Sequence, residues 1–242
     1  MFLGGEMAVH EHRALTFDVV GTLIDFEAGI LNHLRPIAAR SGAPHGDAAL
    51  LAAFGRAEDV QQRLAPELPF TQMLEPIHRR LAEELGLATT DAEATGLAES
   101  IPEWPPFTDS VDALRRLGTR FRLVALTNSD NWALRCMART LGDPFHDTVT
   151  VEDVGANKPD PQMFAYCLGR QSTHGYRKEE VMHVAQSQYH DIAAAVGLDY
   201  TTCWIERRHG DEGSGATPSP GTVTTPDHHF TSLADLAEAA GV

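Results

Sequence analysis

Phe17–Asp25, FDVVGTLID, is the stretch on which the fold turns. It follows the apolar run Ala14-Leu15-Thr16-Phe17, whose composition suits a strand buried on both faces of a parallel sheet. The run ends in Asp18, and Gly21 can take the positive φ of the turn that follows. An acidic side chain at the carboxyl end of such a strand sits where open α/β sheets bind ligands. A turn or a helix cap would explain an aspartate here as well, so three later stretches have to decide.

The first is Leu126-Thr127-Asn128-Ser129-Asp130, at the end of the apolar run Phe121–Leu126. Ser129 or Asp130 serves to cap the next helix, which leaves Thr127 and Asn128 on the strand tip with no capping duty. The second is Gly155-Ala156-Asn157-Lys158-Pro159-Asp160-Pro161. Asp160 as cap and Pro161 at the first helical position account for a helix start. They do not account for Lys158, one of only two lysines in the chain with Lys178. The third is His183–Ile192, in which Asp191 falls at a predicted helix start, where the helix dipole favours a carboxylate.

Between the first strand and these stretches, residues 28–86 carry helical periodicity and almost no strand signal. Helices are expected over Ala28–Arg40, ending near Gly42 and Pro44, then Asp47–Arg63, Thr71–Leu85 with Gly86 as its stop, and Asp91–Glu99. Such a block is too long for a connection within one sheet, so residues 26–105 are expected to form an inserted helical domain. Residues 1–25 and 106–242 then form the core. From Ser110 onward helices alternate with apolar runs: strands at Phe121–Leu126, Thr148–Val151, Val181–Ala185 and Tyr200–Ile205, and helices at Val111–Leu117, Asp130–Leu141, Pro161–Arg170, Ile192–Val196 and Ser232–Ala240. That alternation implies a parallel sheet with right-handed crossovers. His209–Pro226, rich in Gly, Ser, Thr and Pro, is expected to be a mobile loop, and the first dozen residues a disordered tail, with Met7 an alternative start.

Composition excludes several function classes. A formal net charge of −15 over 242 residues lacks the basic footprint that nucleic acid requires. No run approaches the ~18 apolar residues of a membrane span. Cys136, Cys167 and Cys203 are odd in number and widely spaced, which suits reduced thiols of a cytoplasmic protein. The histidines form no ligand-spaced pair, and His228-His229 reads as surface.

The four stretches together resemble the haloacid dehalogenase superfamily: a nucleophilic Asp in a strand–turn opening (Asp18), a Ser/Thr strand tip (Thr127), a Lys before a Pro-x-Pro helix start (Lys158), and an acidic loop after a later strand (Asp191). The resemblance implies a Rossmann-like parallel sheet with an α-helical cap inserted after the first strand. Two positions depart from the superfamily's phosphatases. The second Asp, two residues after the nucleophile, is Val20 here, and the acidic residue about five before the last Asp is Gln186. Mg²⁺ prefers several hard oxygen ligands, so phosphoryl transfer is disfavoured. The phosphonoacetaldehyde-hydrolysing branch needs a cap lysine, and this helical block has none.

The opening Phe-Asp-x-x-Gly-Thr-Leu resembles the (S)-2-haloacid dehalogenase branch. That resemblance implies that Asp18 attacks the halogen-bearing carbon without metal or other cofactor, and that Lys158 holds it ionised. The same resemblance implies that Asp191 with Lys158 activates water, that Thr22 and Thr127 orient Asp18, and that Asn128 contacts the substrate carboxylate or halide. Val19, Val20, Ser187 and Gln188 are expected around the substrate. An arginine of the second cap helix, Arg56 with Arg63 in reserve, is expected to hold the substrate carboxylate. The implied partners are a small anionic 2-haloacid and water; members of this family are often homodimers, and no stretch here marks an interface. An Mg²⁺-dependent phosphatase and a catalytically silent binding protein are the alternatives.

Overall fold

The computed structural model describes residues 7–42 and 45–242. The proposed terminal tail lies partly outside them. Its described part is ordered, with a single turn at Val9–Glu11 that buries Val9. The helix stop expected at Pro44 also lies outside the described residues.

The first strand, β1 (Ala14–Phe17), is buried at every position. It forms the middle of a six-stranded sheet with β2 (Arg122–Leu126), β3 (Asp147–Val149), β4 (Val181–Ala185), β5 (Thr201–Ile205) and β6 (His228–Phe230). The order is β3-β2-β1-β4-β5-β6, and every pairing is parallel. The chain runs outward from β1 to β3, then returns to β1's other side as β4. The strand order therefore reverses beside β1, and Asp18 lies at the carboxyl end of that switch, where parallel sheets open a crevice.

Helices α1 (Phe26–Arg40), α2 (Asp47–Leu64), α3 (Phe70–Leu85) and α4 (Asp91–Glu99) occupy the stretch after β1. Asp25 caps α1 by accepting the Ala28 N–H at 3.0 Å, which begins this helix two residues before the sequence pattern does. Gly86 ends α3 with φ 64°, as its sequence requires. Trp104, almost fully buried, packs so close to Gly29 that a Cβ there would lie 2.4 Å from its ring. The chain re-enters the core where Asp25 N–H meets Pro105 O at 2.8 Å and Phe107 N–H meets Leu23 O at 3.1 Å.

The remaining helices are α5 (Ser110–Leu117), α6 (Asn131–Thr140), α7 (Val151–Val154), α8 (Pro161–Thr173), α9 (Ala193–Gly197) and α10 (Leu233–Ala239). Three expectations need correction. The strand read as Thr148–Val151 stops at Val149, because Thr150 pairs with Asp153 and starts α7. No strand was expected after Ile205, yet His228–Phe230 pairs with β5 as the edge strand; His229 is exposed there, in keeping with the surface reading, and stacks on Trp204 at 4.5 Å. The 209–226 loop is tied down: Glu27 Oε1 accepts the Ala216 N–H at 2.8 Å, and Gln188 Oε1 accepts the Thr224 N–H at 2.9 Å.

Candidate active site

Asp18, Lys158 and Asp191 meet at the carboxyl end of the sheet, exposed by 6%, 2% and 1%. Each arrives on a different element: Asp18 on the tip of β1, Lys158 on the loop before α8, Asp191 in a π-helical turn (Gln188–Ile192) that joins β4 to α9. Lys158 Nζ donates to Asp18 Oδ1 at 2.9 Å, Asp191 Oδ1 at 2.6 Å and the Leu126 carbonyl at 2.8 Å. An ammonium has three donors, so this set uses all of them.

Thr22 donates from Oγ1 to Asp18 Oδ2 at 2.7 Å and accepts the Gln186 N–H at 2.8 Å. The FDVVGT turn thus folds back on its own aspartate, and Gly21 (φ 86°) allows that reversal. Asn128 accepts the Lys158 N–H at 2.7 Å and donates to the Lys158 carbonyl at 3.0 Å. Its amide therefore clamps the lysine's backbone, and one N–H remains for anything else. Thr127 lines the cavity, but its hydroxyl accepts the Ser129 N–H at 3.2 Å and makes no hydrogen bond to Asp18.

His183 of β4 completes the support. Its Nε2 lies 2.9 Å from Asp191 Oδ1 and its Nδ1 2.9 Å from Thr16 Oγ1. With the proton on Nε2, it donates to Asp191 and accepts from Thr16. Asp191 Oδ2 has no protein partner among the described residues and lines the same cavity.

Burial works against both charged carboxylates, and their neighbours separate them. Although burial raises it, Asp191 is brought down to about 2 by the Lys158 charge and the His183 bond. Asp18 moves above its ordinary value, because burial dominates and Asp191 adds repulsion, only partly offset by Lys158 and Thr22.

These residues border a small cavity, partly open to solvent, whose other walls include residues of α1, α2 and α3. The helices close on the core through specific bonds. Asn157 donates to the carbonyls of Pro66 and Leu68, both at 2.7 Å, the Phe70 N–H meets Asn128 O at 3.1 Å, and Thr71 bonds Asp130. Phe26, Phe70 and Met73 supply an apolar face.

The sequence missed the residue of α2 that faces the site. Arg56 points away, pairing with Glu84 on the exposed side of α2, and Arg63 pairs with Asp59 at 2.6 Å, also exposed. Both line a separate surface cleft. The reason is helical register: residues two apart point to nearly opposite faces. Leu50, Phe54 and Glu58 form the buried stripe, so Glu58 enters the cavity with Gln62 beside it. An acidic residue inside an otherwise apolar i, i+4 stripe was the available signal. Val20 and Ser187 line the cavity, whereas Val19 is buried behind it; Gln188 is buried against the Thr224 backbone outside it.

The donor set does not suit a divalent cation. Val20 offers no side-chain oxygen, both oxygens of Asp18 are already hydrogen-bonded, and residue 186 is an amide. Octahedral Mg²⁺ needs more hard ligands than Asp191 supplies.

Known proteins are similar to this chain in sequence and share its fold. The (S)-2-haloacid dehalogenase of Pseudomonas fluorescens is 26% identical over 217 residues, 82% of this chain and 86% of its own. The crystal structure of the L-2-haloacid dehalogenase PA0810 superposes with a TM-score of 0.74 at 25% identity, covering 95% of this chain and 99% of that one. That of the L-2-haloacid dehalogenase from Xanthobacter autotrophicus, with chloropropionic acid covalently bound, gives a TM-score of 0.74 at 17% identity, covering 94% and 97%. Residues 12–199 match the hydrolase profile described as haloacid dehalogenase-like, and the chain belongs to the haloacid dehalogenase-like hydrolase family.

Proposed function

We propose that this enzyme displaces halide from short (S)-2-haloalkanoic acids, giving (R)-2-hydroxy acids through an ester on Asp18, without a metal. The observation that carries this is the buried Asp18–Lys158–Asp191 cluster combined with Val20 and Gln186. The cluster offers a carboxylate nucleophile and a separate base, but neither a donor for an oxygen leaving group at 20 nor a third carboxylate at 186. Halide leaves as a stable anion and needs no proton.

In the first step a carboxylate oxygen of Asp18 attacks C2 of the substrate and the halogen departs with the bonding pair, which inverts the carbon. In the second, Asp191 takes a proton from water, and the hydroxide attacks the carbonyl carbon of the Asp18 ester. The intermediate collapses by breaking the ester bond to the product oxygen, which takes the proton from Asp191 as the 2-hydroxy acid leaves; the new Asp18 carboxyl loses its proton to solvent and is a carboxylate again. Lys158 balances the charge that moves between the two aspartates, Thr22 fixes the plane of Asp18, and Asn128 positions Lys158 through its backbone. Thr127, Val20 and Ser187 border the substrate, with Val19 packed behind them, and residues 26–105 act as the cap that excludes solvent.

Similarity to (S)-2-haloacid dehalogenases supports the choice of substrate class. Halide release from (S)-2-chloropropionate that persists in EDTA is the expected result. Loss of activity with the chelator, or no release from any haloacid, contradicts it; Mg²⁺-dependent turnover of p-nitrophenyl phosphate would move the assignment to phosphoryl transfer.

A further inference from the structure

The inference below rests on the haloacid assignment and concerns how the cavity receives the substrate's carboxylate. Lys158 commits all three donors to protein oxygens, and Arg56 and Arg63 lie on the outer face of α2. Among the described residues, no other lysine or arginine borders the cavity. A substrate anion entering there joins two aspartates and one already paired ammonium.

Several wall groups have unused hydrogen-bonding capacity among the described residues: Asp191 Oδ2 and Asn157 Oδ1 can only accept, one Asn128 N–H is free beside the lysine backbone it clamps, and two further groups bear on an entering anion. Ser129 is 1% exposed, and its hydroxyl is buried without a partner. Glu58 is 5% exposed, and its described bond is the one Oε1 accepts from Gln62 Nε2 at 3.0 Å. Gln62 is oriented in turn by His190 Nε2, 3.0 Å from its Oε1, and His190 Nδ1 lies 3.1 Å from Ser187 Oγ. This chain of amide and imidazole fixes the direction of Glu58 without giving it a cation.

We propose that Glu58, as a neutral carboxylic acid, and the Ser129 hydroxyl bind the substrate's carboxylate, so that two neutral donors determine specificity where an arginine was expected. The neutral form is the one that can donate. Burial, reinforced by the adjacent Asp59 charge, pushes Glu58 up to about 8. The charged or titratable groups around it are Asp59 on its own helix, His190 behind Gln62, and Asp18, Lys158 and Asp191 across the cavity. His190 is held neutral, its pKa lowered to about 4 by burial. Helices α1 and α3 contribute apolar side chains there.

Because the bound anion requires the proton on Glu58, affinity should be level below about pH 8 and weaken ~10-fold per pH unit above it. Binding above that pH should take up close to one proton.

The test is calorimetric binding of (R)-2-hydroxypropanoate, the product form of the smallest substrate, to the unmodified chain between pH 6.5 and 9.5. Two buffers of different ionisation heat report proton uptake, and halide release is measured in parallel. We expect the alkaline weakening and proton uptake in the unmodified chain and neither in Glu58→Gln, which keeps a neutral donor. Ser129→Ala should bind ~10-fold more weakly at every pH. The proposal is overturned if Glu58→Gln retains the pH dependence, if the unmodified chain shows none, or if no binding occurs at any pH. Halide release with level binding removes Glu58 from the mechanism and leaves the haloacid assignment intact. Proton-linked binding without halide release does the reverse.

Discussion

Lys158 bridges two carboxylates that would otherwise repel each other in a buried site. Removing one partner of a buried ion pair typically costs about 3–5 kcal/mol, because the remaining charge is left uncompensated. Lys158→Ala should therefore lower thermal stability as well as activity, and kcat/KM for (S)-2-chloropropionate should fall by at least ~100-fold; near-native turnover would remove Lys158 from the mechanism. Ester formation needs ionised Asp18, whose pKa stands above its ordinary 3.8. The acid limb of kcat/KM should accordingly lie above the usual carboxylate range. Thr22→Val deletes a bond to the ionised form and should move that limb to still higher pH. A pH–rate series on the two proteins checks both the position and the direction. Glu58 also leaves a mark on stability. Its folded pKa is about 8 against an ordinary 4.5, so its favourable contribution is complete below 4.5 and lost as pH rises through 8. Thermal unfolding should show Glu58→Gln gaining several degrees over the unmodified chain at pH 9 and little at pH 4.

At the scale of elements, the strand ends were legible through their combination: Asp18 and Asp191 could each have been a turn or cap residue, and Lys158, which capping did not explain, gave the set its meaning. The structure brings the three within hydrogen-bonding distance. The helix limits were legible too, through Gly86, Asp160 and Pro161. Side-chain direction on α2 was not. An arginine looks like the natural anion ligand in a linear sequence, and only the buried stripe of Leu50, Phe54 and Glu58 shows that Arg56 faces outward. His183 was hidden for another reason: within an apolar strand it resembles any core residue until β1 supplies Thr16 beside it. The 209–226 loop looked mobile because its composition reports turns, not the distant Glu27 that holds it. Packing between α1 and the chain's return is equally non-local. Gly29→Ala would place a methyl carbon against Trp104, and overpacking of this kind typically costs about 1–3 kcal/mol. A fall in Tm of ~3–10 °C is expected; an unchanged Tm would show that Trp104 can shift freely.

Across the whole molecule, a net charge of −15 repels an anionic substrate before it reaches the cavity. Added salt screens that repulsion, so KM for a haloacid should fall between 10 and 150 mM ionic strength while kcat stays level. A rising KM would point to steering by local cations instead. The proposed chemistry depends on one covalent bond, between carbon and the carboxylate of Asp18. The most direct test is a single turnover of (S)-2-chloropropionate with excess enzyme in ¹⁸O-labelled water, followed by mass analysis of the peptide that carries Asp18. Hydrolysis of an Asp18 ester places the heavy oxygen in the aspartate and leaves the first hydroxy acid unlabelled. Label found in the hydroxy acid, with none in the Asp18 peptide, would mean that water attacks the substrate itself and would contradict the account.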